Sequence, residues 1–291
     1  MKHIVIGSRG SDLALWQANH VRNQLERIGH TVEIKVIKTQ GDIIQHLSFD
    51  KMEGKGFFTK ELESELLNKT IDLAVHSHKD LETVQPEGLK VAAVSEREAP
   101  NDILVVRKEA MTELKWSVKE GATVGTSSAR RKSQLIANRP DLNIIDLRGN
   151  VPTRIQKLRD GQYDAILLAK AGVDRLEINL DEFHVEILPV NEFVPAPAQG
   201  VLGLQIREDD QEMTEVLAQL NHPAIKERID VERGVLNKME GGCQLPLGVF
   251  VDDSAIYVAF AENSSIPSKY MQFELDTTVE TIVDHLKQNI G

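Results

Sequence analysis

One cysteine, Cys243, serves all 291 residues. No disulfide can form within the chain, and the expected setting is a reducing compartment. No stretch approaches the roughly 20 apolar residues that span a bilayer. The first residues, Met1-Lys-His-Ile-Val-Ile-Gly7, run directly into strand-like sequence without the layout of a signal peptide. A basic surplus is missing as well: 34 lysines and arginines face 45 aspartates and glutamates, for a net charge of −11. A general nucleic-acid binder has the opposite balance. These shortages predict a cytoplasmic globular protein with neither nucleic acid nor membrane as partner. Hydrophobic content of 41% supplies ordinary cores, and the length predicts two or three domains.

The cysteine sits in Glu240-Gly-Gly-Cys-Gln-Leu-Pro-Leu-Gly248. Two glycines leave its sulfur sterically open, and Pro246 prevents a helix from running through. A cysteine that merely packs as a small hydrophobe is usually found inside an apolar strand or helix. A loop thiol in this setting is instead a candidate nucleophile or covalent attachment point, and the motif does not choose between the two.

Ile4-Val5-Ile6 reads as a buried strand, followed by Gly7-Ser8-Arg9-Gly10 and a helix capped by Ser11. Leu13, Trp16, Val21, Leu25 and Ile28 form that helix's expected apolar face, and Gly29 ends it. Strands over 31–37 and 71–75 follow, with a helix capped by Thr59 between them; the glycines around Lys55 precede that helix. The third strand opens into His76-Ser-His-Lys-Asp80. Open α/β sheets place ligands at such strand ends, which gathers Ser8, Arg9, Ser77, Lys79 and Asp80. His76 and His78 alternate along an extended segment with no further ligand cluster nearby, so no metal site is expected.

The same order recurs further on. Ala122-Thr-Val124 turns through Gly125-Thr126-Ser127-Ser128 into a helix bearing Arg130, Arg131 and Lys132. The strand over 143–146 leads to Leu147-Arg148-Gly149-Asn150, with Pro152 in the next helix's first turn beside Arg154. The strand over 163–169 leads to Arg175. A hydroxyl-rich helix start is an anion site, and an arginine after each strand suits carboxylates or phosphates. Arg139 and Arg159 read as solvated helix arginines. Glu192-Phe-Val-Pro-Ala-Pro-Ala-Gln-Gly200 is a proline-broken return to the first unit. The fold expected is α/β: two lobes with mixed, mainly parallel sheets, over 1–96 plus 194–215 and over 97–193. A small C-terminal α+β domain over 216–291 carries the cysteine.

Motifs in this order resemble the hydroxymethylbilane synthase (porphobilinogen deaminase) family. The resemblance rests on Gly7-Ser-Arg9 with Ala14-Leu-Trp-Gln17, on Gly54-Lys-Gly-Phe-Phe-Thr-Lys-Glu-Leu62, and on His76-Ser-His-Lys-Asp80. It continues through Gly125-Thr-Ser-Ser-Ala-Arg-Arg131, Asp146-Leu-Arg-Gly-Asn150, Ala198-Gln-Gly200 and Glu240-Gly-Gly-Cys-Gln244. Glu82 departs from it, standing where the family often has proline. The resemblance implies lobes like those of periplasmic binding proteins. It also implies a transferase of heme biosynthesis that joins four porphobilinogen molecules into hydroxymethylbilane and releases ammonia at each addition. The primer would be a dipyrromethane cofactor held by a thioether to Cys243. Ser77, Lys79, Thr126, Ser127, Ser128, Arg130, Arg131, Arg148 and Gly149 would hold that cofactor. Arg9, Gln17, Lys55, Arg154, Arg175 and Gln199 would hold substrate, Asp80 would be the catalytic carboxylate, and the protein would be a monomer.

Two other classes compete. A non-catalytic two-lobed anion-binding protein suits the lobes but gives the Gly-Gly-Cys corner no role. A cysteine hydrolase needs a histidine base, and neither His184 nor His222 lies in a motif for one.

Overall fold

The computed structural model describes residues 1–39, 59–242 and 244–288. Cys243 and Lys55 therefore lie outside the described residues. Among the described residues, 1–39, 59–98 and 200–227 form one compact unit, and 99–199 with 228–288 form a second.

The first unit is built on β1 (His3–Ser8), β2 (Thr31–Val36), β3 (Leu73–Ser77), β4 (Leu89–Val94) and β10 (Leu202–Arg207). These strands lie in the order β2-β1-β3-β10-β4. β1 pairs in parallel with β2 and β3, whereas β10 is antiparallel to both β3 and β4. Four strands thus run one way, and the strand delivered by the chain's return runs against them. Ile4, Ile6, Leu73, Val75, Leu204 and Ile206 pack on α1 (Asp12–Arg27) and α6 (Gln211–Ala218). Ala74 and Ile71 belong to a separate core cluster with Leu62 and Leu66 of α2 (Lys60–Leu67). The period-two alternation of β3 feeds both cores. Ser11 caps α1, its Oγ accepting from the Ala14 amide at 3.4 Å. The buried stripe of α1 is Gln17, Ala18, Val21 and Leu25; Ile28 and much of Trp16 stay outside it. Thr59 precedes α2 without a side-chain cap hydrogen bond.

The second unit repeats this plan with β5 (Asp102–Arg107), β6 (Thr123–Gly125), β7 (Asn143–Ile145), β8 (Ala165–Ala169) and β9 (Phe183–Ile187), ordered β7-β6-β8-β5-β9. Here β5, the strand by which the chain enters, is antiparallel to β8 and β9. One device recurs in both units. The Asp72 amide donates to the Val5 carbonyl at 2.8 Å, and the Val5 amide donates back to the Asp72 carboxylate at 2.9 Å. Asp164 and Thr123 make the same reciprocal pair, both bonds at 2.9 Å. In each unit an aspartate placed just before one parallel strand, β3 or β8, thus satisfies a backbone donor of the neighbouring strand, β1 or β6.

The second unit also holds an antiparallel meander, β11 (Leu247–Val251), β12 (Ile256–Phe260) and β13 (Lys269–Phe273). Val249, Val251, Ile256 and Val258 share a core with Val235 and Leu236 of α7 (Pro223–Lys238) and with Ile282, Val283 and Leu286 of α8 (Val279–Gln288). Phe250 and Ala259, on the sheet's other face, pack on Val194. Among the described residues, no helix is long and apolar enough to cross a membrane.

Candidate anion-binding and catalytic site

Ser8 ends β1, and Arg9, half-buried, follows it. Ser77 ends β3, where the buried Gln17 of α1 donates to its Oγ from Nε2 at 2.8 Å. A single tight turn, His78–Asp80, comes next. His78 is buried against Gly203 of β10, and its amide donates to the Val201 carbonyl at 2.9 Å. That anchoring leaves Lys79 half-buried and Asp80 exposed. Among the described residues, the Asp80 carboxylate lies in no ion pair and no side-chain hydrogen bond, so it is not held as a structural countercharge.

His76 is buried, and its Nε2 lies 3.0 Å from Gln205 Oε1. A carbonyl oxygen only accepts, so Nε2 carries the proton. Burial pushes the His76 imidazolium down to about 4; Gln205 opposes that shift and the charge of Arg9 adds to it. The ring is neutral in the folded protein and protonates at about 6.5 when unfolded. The unfolded state therefore binds more protons between those values, and stability falls as pH drops from 6.5 to about 4. The loss at the acid end is expected to be on the order of 3 kcal/mol. Urea unfolding at pH 7 and pH 4.5 checks it, and His76→Gln should shrink the difference between the two. Among the described residues, no group of three or more His, Cys, Asp or Glu could hold a metal ion.

In the second unit, β6 gives way to Thr126, Ser127 and Ser128, which lead into α3 (Ala129–Asn138). Ser128 caps α3 by accepting from the Arg131 amide at 3.4 Å. Ser127 Oγ donates to the Leu147 carbonyl and accepts from the Leu147 amide, both at 3.1 Å. The hydroxyl thereby ties two strand-end loops together. Arg148 and Gly149 form the loop before α4 (Val151–Arg159), which Asn150 caps by accepting from the Thr153 amide at 2.9 Å. The Gly149 carbonyl accepts from Arg154 Nε at 2.7 Å. Gly149 has φ +114, and a Cβ there would meet Thr153 Cγ2 at 2.7 Å. Gly149→Ala is expected to cost about 1–3 kcal/mol in backbone strain and crowding, read as a lower denaturation midpoint. Arg175 is buried at the end of α5 (Lys170–Arg175), a short helix that the sequence patterning did not mark.

Arg130 and Arg131 are not solvent-facing. Both guanidiniums converge on Asp102, the fully buried first residue of β5. Arg130 Nη1 lies 2.8 Å from Asp102 Oδ2 and donates to the Val194 carbonyl at 2.7 Å. Arg131 donates to Asp102 Oδ1 from Nη2 at 2.6 Å and from Nε at 3.2 Å, and to the Leu167 carbonyl at 3.2 Å. Burial works to raise the Asp102 pKa, but the two guanidiniums outweigh it and hold the carboxyl well below the usual range.

Gln199, expected to face substrate, is fully buried: its Nε2 donates to the Pro100 carbonyl at 2.7 Å and to Asp102 Oδ1 at 3.1 Å. Arg139 is not solvated either. It is buried, pairing with Asp141 and donating to the Lys115 and Val118 carbonyls. Arg159 does lie at the surface, against Glu182. Asp102 is what sequence reading missed, because it lies in none of the motifs that carry the resemblance. The available signal was its place immediately before the apolar run Ile103-Leu-Val-Val106.

Each unit carries strand-end loops with an arginine and hydroxyls, Arg9 with Ser8 and Ser77 in the first and Arg148 with Thr126, Ser127 and Ser128 in the second; such donors on an α/β fold suit small organic anions. The family model described as "Porphobilinogen deaminase, dipyromethane cofactor binding domain" matches residues 4–215. A porphobilinogen deaminase of Nitratidesulfovibrio vulgaris strain DP4 is 48% identical over 250 residues, covering 85% of this chain and 78% of that protein. One from Bacillus cereus strain G9842 is 40% identical over 296 residues, covering 100% of this chain and 92% of its own. Among solved structures, the probable amino-acid ABC transporter extracellular-binding protein ytmK of Bacillus subtilis aligns at 13% identity, with a TM-score of 0.45, over 82% of this chain and 95% of its own. The chain belongs to the porphobilinogen deaminase family. Its chemistry is the polymerisation of porphobilinogen in tetrapyrrole biosynthesis, a transferase reaction that uses a dipyrromethane cofactor.

Proposed function

We propose that this chain acts as a cytoplasmic, monomeric hydroxymethylbilane synthase with the following division of labour. Cys243 carries the dipyrromethane through a thioether. Arg130, Arg131, Arg148, Ser77, Lys79, Thr126, Ser127, Ser128 and the Gly149 loop hold its acetate and propionate groups. Arg9, Lys55, Arg154 and Arg175 hold those of incoming porphobilinogen. Gln17 acts by orienting Ser77. When bound, the dipyrromethane supplies the terminal pyrrole carbon to which each new unit is joined. Asp80 stabilises positive charge on porphobilinogen as ammonia leaves, and moves the protons. The division into domains 1–96 with 194–215, 97–193 and 216–291 is part of this reading.

One observation carries it: two guanidiniums share a single buried carboxylate at the start of α3. That leaves one positive charge uncompensated, next to a helix N-terminus, where an anionic group is stabilised. The donor set fits a carboxylate-bearing cofactor. The deciding experiment combines intact-mass measurement with a porphobilinogen consumption assay. The expected result is a mass excess of two pyrrole units in active protein, and no excess together with no consumption would end the proposal.

Arg131→Lys is a sharper test of the arginine role. Lysine keeps the charge but cannot bridge Asp102 and the Leu167 carbonyl with one planar fork. Turnover should fall about tenfold or more, since a charge-assisted hydrogen bond contributes about 1.5–3 kcal/mol. Unchanged turnover and cofactor content would show that the fork serves only the fold.

A further inference from the structure

The geometry points to Asp102 as the positioning residue of the arginine pair: with Gln199 it aims Arg130 and Arg131 at one place and leaves them a single net positive charge. The inference rests on the proposed role of those arginines in holding carboxylates. Consecutive residues on a helix leave its axis about 100° apart, so Arg130 and Arg131 do not converge by themselves. They converge because one carboxylate, from a strand 28 and 29 residues earlier, presents an oxygen to each.

Each guanidinium is then fixed at a second point, Arg130 by the Val194 carbonyl and Arg131 by the Leu167 carbonyl. Asp102 Oδ1 is itself held by Gln199 Nε2, whose other acceptor is the Pro100 carbonyl. Both arginines and the aspartate are more than nine-tenths buried. With water largely excluded, their orientation and net charge carry more weight than at an exposed site. This cluster holds two cations on one anion and so suits one further acidic group. The guanidiniums hold Asp102 ionised despite its burial, so the arrangement persists across the physiological pH range. Gln199 also explains why the return segment belongs to the cluster. Its neighbour Ala198, at φ +62, is secured by its amide donating to the buried Glu232 carboxylate at 2.7 Å. That bond fixes the backbone from which Gln199 reaches Asp102.

The test is a double-mutant cycle on the full-length, cofactor-loaded protein, assayed with porphobilinogen well below the unfolding temperature of every variant. Asp102→Asn should lower kcat/KM about tenfold to a hundredfold, mostly through kcat, because the misaimed forks hold the primer and not the incoming porphobilinogen. On an Arg131→Ala background the same substitution should cost less than in the parent, since one of the two groups it acts through is gone. Full additivity, or a lowered Tm with unchanged kcat, would overturn the proposal. Asp102→Asn could leave two buried cations without a countercharge and fail to fold. Gln199→Met is the second arm, removing one hydrogen bond to Asp102 and leaving both ion pairs. It should lower kcat by roughly threefold, and by less on the Arg131→Ala background; an unchanged kcat in the single variant would overturn the proposal as well. Failure of the functional reading would look different: the unsubstituted chain would carry no pyrrole mass and consume no porphobilinogen.

Discussion

Asp80→Asn folds like the parent and adds porphobilinogen to cofactor-loaded protein about 10²–10⁴-fold more slowly; that is the expected result, and single-turnover measurement checks it. Asparagine is nearly isosteric and still accepts a hydrogen bond, but it carries no negative charge and no transferable proton. The substitution therefore removes the chemistry and little of the shape. Stability should stay within about 0.5 kcal/mol of the parent, because Asp80 is exposed and makes no ion pair or side-chain hydrogen bond among the described residues. His78, buried and bonded to the Val201 carbonyl, fixes the turn independently of the Asp80 side chain. Asp80→Glu keeps the charge one methylene further out and should retain more activity than the amide. A near-normal rate in Asp80→Asn would assign the proton transfers to another group.

The second large effect is expected at Cys243. Cys243→Ala should yield a chain of its bare sequence mass that consumes no porphobilinogen, while the parent is heavier by two pyrrole units. Intact-mass spectrometry separates these outcomes directly. The corner leading to the cysteine is shaped by its two glycines. A Cβ on Gly241 would meet Leu245 Cδ2 at 2.5 Å and Leu236 Cδ1 at 2.9 Å, so that glycine is required by packing against the α7 end. Gly242 has nothing within 4 Å of where its Cβ would be, so the chain just before the cysteine has open space around it. Gly241, Leu236 and Leu245 thus pack together at this corner. An active Cys243→Ala protein, or an active parent without the extra mass, would remove the attachment role.

Much of this was legible in the sequence because the signals are local. Ser11, Ser128 and Asn150 cap the helices they precede, since a short polar side chain reaches the third amide beyond it without help from the rest of the fold. The loops after β1, β3 and β6 follow from apolar runs ending in small polar residues, and the ordered motifs carried the family. What patterning missed has weak local signal. β9 and β13 are half-exposed edge strands, and α5 has only six residues. The antiparallel course of β5 and β10 is likewise absent from any window of sequence. Nothing in the residues of β10 states that it will enter between β3 and β4, more than a hundred residues upstream.

The division is clearest at the arginines. Sequence alone determined that cations follow β6, β7 and β8 and that a hydroxyl-capped helix begins beside two of them. Tertiary structure decided that Arg130 and Arg131 are internal and share Asp102, that Gln199 braces that carboxylate from 97 residues away, and that Asp80 keeps an exposed carboxylate. A cap or a glycine turn is fixed by groups a few bonds apart. The partner of a buried charge is fixed only when the sheet closes and excludes the water that would otherwise solvate it.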